Sequence, residues 1–241
     1  MKTELINTMI KTWRKLDGGA LLKAVILNEA DARVAVSSSF GAESAVLLGL
    51  VAEIDPSTPV LTVDTGKLFD ETIEYRNRLV DHFGLLDVRI VSAPLGLIDS
   101  TDADGDLHQS NPDLCCQVRK VMPHAQAAAD FDILITGRKQ FHGEGRQALP
   151  TVNIEGQHIK VNPLATWSEA DIEDAFQTHQ IPRHPLVVEG YRSIGCATCT
   201  LKTGTGQNAR AGRWAGQTKT ECGLHSATFD TFQFKFAENR Q

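Results

Sequence analysis

Five cysteines are the residues of this 241-residue chain best suited to chemistry, and one of them stands apart from the rest. Cys222 lies near the C-terminus between Lys219 and His225, with Gly223 directly after it. A cationic setting lowers the pKa of a thiol from about 8.5 and so increases the fraction of nucleophilic thiolate. A spare buried cysteine is the plain alternative, but charged and flexible neighbours favour a reactive one. We therefore predict that Cys222 is a nucleophile.

The other four cysteines form two pairs, Cys115–Cys116 and the C-x-x-C sequence Cys196–Cys199. Four thiolates are enough to hold a zinc ion or a [4Fe–4S] cluster. Adjacent ligands suit zinc poorly, because structural zinc sites generally separate their cysteines by two or more residues. A redox pair would be expected at the start of a helix just after a strand, whereas Cys196–Cys199 lies in an irregular stretch. The residues favour an iron–sulfur cluster and leave zinc, or no metal, open.

Composition limits the class of protein. Apolar residues make up 41% of the chain, which is ordinary for a globular α/β protein. The net charge of −6 argues against a large nucleic-acid surface, although local basic clusters could bind a small anion. No apolar run approaches the length of a membrane span, and no secretion signal precedes the cysteines. We therefore expect a cytoplasmic protein in a reducing compartment, with neither nucleic acid nor membrane as a partner.

A strand–loop–helix unit is the first candidate ligand site. Arg33–Ser37 is predicted to be a buried strand, Ser37–Ser44 a loop of small residues, and Ala45–Ile54 an apolar helix. Such a loop exposes backbone N–H groups at a helix N-terminus, which suits a phosphate. An ordinary turn with a serine N-cap is the alternative. The loop lacks the spacing and the lysine of a G-x-x-x-x-G-K-[ST] sequence.

The remaining pattern predicts alternating strands and helices. Asp64 ends the second strand, where an open α/β sheet binds ligands, although a helix cap is the simpler role for it. The alternation predicts a doubly wound, mainly parallel α/β sheet followed by an irregular, cysteine-bearing C-terminal segment. The predicted elements are a helical segment from about Leu5 to Asn28 interrupted at Gly18–Gly19, strands Pro59–Asp64, Asp87–Ser92 and Phe131–Thr136, a hairpin Thr151–Val161, helices Phe69–Phe83 and Thr166–Gln180, a loop Pro94–Pro112, and a helix that begins in the C-terminal part of Asp113–Lys120 and continues through Ala129.

Several motifs together resemble the assimilatory adenylyl-sulfate (APS) reductases of the phosphoadenylyl-sulfate (PAPS) reductase family. The resemblance runs from about residue 33 to residue 225. The motifs that carry it are Cys115-Cys116-x-x-Arg119-Lys120, Gly195-Cys-x-x-Cys199, Glu221-Cys-Gly-Leu-His225, Ser37-Ser-Ser-Phe-Gly-Ala-Glu43, Asp64-Thr-Gly66, Tyr191-x-Ser-Ile-Gly195 and Gly212-Arg-Trp214.

This resemblance implies an adenine nucleotide α-hydrolase-like fold, related to the PP-loop proteins. It implies reduction of adenylyl sulfate to sulfite and AMP, with Cys222 as nucleophile, a Cys S-sulfonate intermediate and thioredoxin as transient reductant. A [4Fe–4S] cluster would be held by Cys115, Cys116, Cys196 and Cys199. The substrate contacts implied are Ser37, Ser39, Gly41, Glu43, Asp64, Gly66, Lys120, Arg138, Arg210, Arg213 and His225.

The domain expected from the resemblance covers residues 1–225. It comprises an N-terminal helical segment (1–30) and a cluster-binding and catalytic tail (186–225), and a C-terminal extension (226–241) follows it. The resemblance also leaves room for a homo-oligomer. Reduction of PAPS, alone or beside APS, is the nearest alternative activity. A PP-loop ATP pyrophosphatase would need a Ser-Gly-Gly-x-Asp-Ser loop, which the chain lacks. A zinc-stabilised binding module is the non-enzymatic alternative.

Overall fold

The computed structural model describes residues 2–28, 31–143, 145–204 and 206–224. His225, which was predicted to contact the substrate, and the extension 226–241 lie outside the described residues. Within the described part of the chain, no helix is long and apolar enough to cross a membrane.

One sheet forms the centre of the described structure, with the strand order β3-β2-β1-β4-β6-β5. Five of these strands run parallel, and β5 runs antiparallel to β6. The doubly wound, mainly parallel sheet predicted from the sequence is therefore confirmed. The strands are β1 (Val34–Ser37), β2 (Val60–Val63), β3 (Val88–Val91), β4 (Ile133–Thr136), β5 (Val152–Glu155) and β6 (His158–Val161).

Helices cover both faces of the sheet, as the alternation of elements requires. The central strands β1 and β4 are rich in buried valine and isoleucine because they are covered on both faces. The helices are α1 (Lys2–Trp13), α2 (Gly18–Ile26), α3 (Ser44–Ile54), α4 (Asp70–Phe83), α5 (Leu95–Thr101), α6 (Leu107–Ser110), α7 (Pro112–Cys116), α8 (Met122–Ala128) and α9 (Glu169–Thr178). A π-helical turn, Gln117–Val121, joins α7 to α8.

Three local predictions need correction. The stretch Pro94–Pro112 is not a simple loop, since it contains α5 and α6; its Asp, Gly and Ser content hid two short helices. The break between the first two helices lies before Gly18–Gly19, because Gly18 begins α2 with a positive φ of 47°. No serine caps α3: its N-cap is Glu43, whose side chain makes no capping hydrogen bond.

The strand order places the candidate ligand site. β1 lies between β2 and β4: the chain passes from β1 to β2 on one side and returns from β3 to β4 on the other. Ser37 at the end of β1 pairs in register with Thr136 at the end of β4. The carboxyl ends of neighbouring parallel strands at such a switch point form a crevice for ligands. The loops after β1 and β4 therefore face each other across one cleft.

Candidate functional site

The loop after β1 is held in shape by its own serines. Ser38 Oγ accepts a hydrogen bond from the Phe40 amide (3.2 Å), and Ser44 Oγ accepts one from the Gly41 amide (3.1 Å). Phe40 has a positive φ of 48°, an uncommon conformation for a non-glycine residue, and its buried ring anchors the turn. The Ser44 amide donates to the Gly41 carbonyl (3.2 Å), and no side chain caps α3, so the next N–H groups of its first turn are available to a ligand. This loop can bind an anion at a helix N-terminus.

Glu43 in this loop is paired with cations from the loop after β4. Its Oε2 lies 2.8 Å from Lys139 Nζ and 3.1 Å from His142 Nε2. Burial raises the pKa of Glu43, but the hydrogen bond from His142 and the charge of Lys139 outweigh it, so the pKa falls to about 2. Glu43 is thus ionised at neutral pH, and its carboxylate joins the two loops across the switch point.

The cleft above the switch point has a volume of about 220 Å³. The β1 loop, the segment after β4 and the C-terminal segment form its walls. The predicted residues that line it are Ser37, Ser39, Gly41, Glu43, Lys120, Arg138, Arg210, Arg213 and Cys222.

Two predicted contacts do not line this cleft. Asp64 accepts a hydrogen bond from the Gly66 amide on Oδ1 (2.9 Å), which closes a tight turn after β2. Gly66 has a φ of +67°, a conformation that favours glycine. Asp64 and Gly66 therefore lie in the turn after β2, next to the cleft, and neither of them lines it.

Basic side chains converge on the cleft from separate segments. Arg138 Nε lies 3.3 Å from Asn162 Oδ1, which orients the guanidinium at the end of β4. Arg210 is buried and donates from Nη2 to the Thr220 carbonyl (2.6 Å). Arg213 passes directly over Gly195, where a Cβ atom would clash with the guanidinium. The site therefore concentrates positive charge where a phosphate or sulfate could be stabilised.

Cys222 is half-buried in the wall of the same cleft. Lys120 and Arg213 are close enough for their charges to interact with its thiolate. Burial lowers the pKa of Lys120, but Cys196 and Cys222 outweigh that effect, and the pKa ends above its usual value. The predicted nucleophile and the predicted cations thus meet in one place.

The four paired cysteines line a second, very small cavity beside the cleft. Cys115 and Cys116 end α7, and Cys196 and Cys199 come from the irregular C-terminal segment. Trp214 and Lys120 line both this cavity and the cleft. Two cysteine pairs about 80 residues apart in the sequence are therefore brought together.

The thiols of this cavity differ in acidity. Burial raises the pKa of Cys115, and it raises the pKa of Cys116 to about 12. Burial also raises the pKa of Cys196, but Lys120 and a hydrogen bond with Thr65 Oγ1 (3.3 Å) outweigh it, so the pKa falls below its usual value. All four are free thiols. They are available as ligands, and a bound metal would be needed to hold all four as thiolates.

Among the described residues, no group of three or more His, Cys, Asp or Glu side chains is spaced to hold a single metal ion. A cluster differs from a single ion, because each cysteine binds a different iron atom and the ligand sulfurs lie farther apart. The four thiols around this cavity are a donor set of the kind that metal centres use.

Sequence reasoning missed several residues of the cleft, among them His124 and Glu221. His124 shares a 2.8 Å hydrogen bond with Ser37 Oγ, and burial lowers its pKa to about 4, so it is neutral at physiological pH. Its position four residues after Lys120, hence on the same helical face, was the available signal. Glu221 pairs with Arg146 and Arg210, and only the three-dimensional structure reveals this contact.

Comparisons with known proteins find related chains. A family model described as the phosphoadenosine phosphosulfate reductase domain matches residues 33–202. Two relatives are named adenosine 5'-phosphosulfate reductase. The one from Mesorhizobium japonicum is 48% identical over 80% of this chain and 76% of its own length, and the one from Chelativorans sp. is 45% identical over 80% and 78%.

A solved structure gives the same fold. The PAPS reductase from Candida auris, in a phosphate complex, superposes with a TM-score of 0.67 at 24% identity, over 81% of this chain and 96% of that one.

Proposed function

The chain belongs to the phosphoadenosine phosphosulfate reductase domain family, and we propose that it reduces adenylyl sulfate to sulfite and AMP in assimilatory sulfate reduction. The observation that carries this proposal is the position of Cys222 in a cation-lined cleft at the sheet's switch point. A thiol beside an anion site is what attack on a sulfonucleotide requires. The activity named for relatives up to 48% identical supports the choice of APS.

The first step of the proposed reaction forms a sulfur–sulfur bond. The Cys222 thiolate attacks the sulfur of adenylyl sulfate, and the bond from that sulfur to the bridging oxygen breaks. AMP leaves with the electron pair of this bond, and Cys222 carries an S-sulfonate. Lys120 and Arg213 lie where they can stabilise the negative charge that develops on the phosphate.

The second step requires an external dithiol, and we propose thioredoxin for this part. One thiolate of the dithiol attacks the Cys222 sulfur and forms a mixed disulfide, while sulfite leaves with the electron pair. The second thiol then attacks the mixed disulfide, which oxidises the dithiol and restores Cys222. The partial exposure of Cys222 leaves it accessible for this exchange.

We propose that the nucleotide lies along the β1 loop, with Ser37, Ser39, Gly41 and the α3 N-terminus beside its phosphate. Glu43 would act through its ion pair with Lys139, which sets the position of the loop. The phosphosulfate contacts proposed are Lys120, Arg138, Arg210 and Arg213. Contacts of Asp64, Gly66 and His225 with the substrate stay predictions.

We also propose a [4Fe–4S] cluster held by Cys115, Cys116, Cys196 and Cys199. Their shared cavity supports this proposal. When bound, the cluster would supply metal–thiolate bonds that tie α7 to the C-terminal segment and so contribute to folding. The protein's own residues around it would be Arg119 and Thr65. Arg119 donates from Nη1 to the Thr65 carbonyl (2.9 Å) and pairs with the buried Asp102 at 2.6 Å.

The same proposal assigns residues 1–225 to one reductase domain and places it in the cytoplasm. The dithiol reductant proposed for the second step requires a reducing compartment, which supports this location. The part of the domain from residue 186 would contribute both a cysteine pair and the nucleophile.

Sulfite release measured side by side with APS and PAPS tests the proposed function. We expect APS to be turned over with thioredoxin at a rate far above that with PAPS. Without thioredoxin, APS should release about one AMP per active site and add the mass of one SO₃ group to the peptide that contains Cys222. Faster turnover of PAPS would overturn the substrate assignment, and an adduct on one of the paired cysteines would overturn the mechanism.

A further inference from the structure

Glu221, the residue before the proposed nucleophile, contacts two arginines of the cleft. Arg146 Nε donates to Glu221 Oε1 at 2.7 Å, and its Nη2 lies 2.5 Å from the same oxygen. Arg210 Nη2 lies 3.3 Å from Oε2. The side chains of both arginines are largely buried, with 13% and 7% exposed, so these charge-assisted contacts are poorly screened by water.

The carboxylate occupies a place suited to an anionic ligand. Arg146 comes from the segment after β4, and Arg210 from the C-terminal segment. A third arginine, Arg138, is also close enough to interact with the charge of Glu221. Among the described residues, the acidic side chains that line the cleft are Glu43 and Glu221. Because Glu43 is paired with Lys139, Glu221 supplies the negative charge at Arg146 and Arg210, while Glu155 has the larger effect on Arg138.

The contact also fixes the position of Cys222. Consecutive Cα atoms are about 3.8 Å apart, so holding Glu221 holds its neighbour within the cleft wall. Lys219 makes a separate ion pair with Asp113 on α7. Two contacts just before Cys222 thus hold the nucleophile segment, one from Lys219 to α7 and one from Glu221 to the arginines.

We propose that Glu221 is a built-in anion that holds the Cys222 segment on Arg146 and Arg210, and that the substrate's anionic group competes with it for these arginines. This inference rests on the proposed function for the identity of the substrate, a nucleotide that carries phosphate. The Glu221 side chain is 38% exposed and can leave toward solvent. While Glu221 occupies the arginines, only a fraction of the molecules can accept the ligand's anionic group. The apparent affinity for the ligand is reduced by that fraction.

Equilibrium binding of AMP and of adenosine to the full chain tests the competition. Glu221→Gln keeps the shape of the side chain and removes its charge. We expect it to bind AMP about fivefold to tenfold more tightly than the unchanged protein, because the arginines are released. Adenosine has no phosphate, so its affinity should change less than about twofold.

Two further variants separate charge from packing. Glu221→Asp keeps the negative charge and should return the AMP affinity toward its original value. Glu189→Gln removes a carboxylate that pairs with Lys202 on the surface, and it should leave AMP binding unchanged. AMP affinity in Glu221→Gln that is equal to or weaker than that of the unchanged protein would overturn the proposal.

Alkylation of Cys222 by iodoacetamide, followed on its peptide by mass spectrometry, gives a readout that needs no turnover. Glu221→Gln should react several times faster, since the segment is held less firmly, and an unchanged rate would contradict the holding role. In steady state, KM and kcat should both fall in this variant, whereas a merely destabilising change would not lower KM. Failure of sulfite release with APS and PAPS would refute the proposed function, yet AMP binding and alkylation would still decide the role of Glu221.

Discussion

The two cysteine sites are neighbours, but their surroundings differ. In the small cavity, Cys115, Cys116 and Cys196 are each only 7% exposed, and burial raises the pKa of the first two. In the cleft, Cys222 is half-buried and lies within reach of the charges of Lys120 and Arg213. Three of the four cysteines in the small cavity are thus enclosed, while Cys199 is half-buried like Cys222, and Cys222 is the one that lines the larger cleft.

The difference shows how one fold can use thiols in two ways. An enclosed thiol suits metal ligation, because the metal replaces the proton and water is excluded. A partly exposed thiol among cations suits nucleophilic attack, because the thiolate is stabilised and can be reached. Lys120 lines both places, so its charge links the two sites.

Loss of the accessible thiol should have the largest effect. Cys222→Ser should lower sulfite release by about a thousandfold or more, because a hydroxyl is not ionised near neutral pH and cannot form the S-sulfonate. The variant should retain its iron and bind AMP normally. Turnover of Cys222→Ser close to that of the unchanged protein would show that the thiol in the cleft is not the nucleophile.

Loss of an enclosed thiol should reduce metal content and stability, which Cys222→Ser should leave unchanged. Cys116→Ser and Cys196→Ser should lose most iron and acid-labile sulfide, and the melting temperature should fall, because metal–thiolate bonds contribute to folding. Iron analysis, sulfide analysis and thermal unfolding measure these losses, and Cys222→Ser is the matched control. Full iron occupancy in both variants would refute the cluster.

Lys120 tests the link between the sites. Lys120→Met should reduce turnover about tenfold to a hundredfold, if the ammonium contributes about 1.5–3 kcal/mol to an anionic transition state. Lys67 is the matched control: it lines the cysteine cavity, donates to the Gly105 carbonyl (2.6 Å) and does not line the cleft. Equal losses of turnover in Lys120→Met and Lys67→Met would show that Lys120 acts through the cysteine cavity and not through the cleft.

Removal of the ion pair between Lys219 and Asp113 should have the smallest effect on kcat/KM. Asp113 is 82% exposed, and such a pair contributes little. Asp113→Asn should change kcat/KM by less than about threefold, and Asp104→Asn, which alters another exposed carboxylate, should leave it unchanged. A loss of tenfold or more would mean that α7 positions the nucleophile directly.

The main features of the fold follow from local sequence patterns. Short apolar runs such as Ile133–Thr136 have the length and β-branched content of buried strands, and their alternation with helices implies a parallel sheet. The hairpin at Glu155-Gly156 was marked by its turn residues. The helices α5 and α6 were missed because they are too short for a periodic pattern and begin without capping side chains.

The site was only partly accessible from sequence. Residue type and spacing singled out the cysteines, the resemblance implied several cations, and the fold brings these residues together around the cleft and the small cavity. Pairings such as Arg146 with Glu221 join positions 75 residues apart, so no local pattern encodes them. The turn at Asp64 was placed at the right strand end, but its side chain closes its own loop.

The π-helical turn Gln117–Val121 has a consequence for how this chain tolerates insertions and deletions. A π turn accommodates one residue more than an α-helix in the same stretch. Removing one residue would let the stretch close as an α-helix and would change the directions of the side chains within the turn relative to Cys115–Cys116. Arg119 and Lys120 could then no longer serve the cavity and the cleft together. Point substitutions that preserve length should be tolerated in this turn far better than a one-residue deletion.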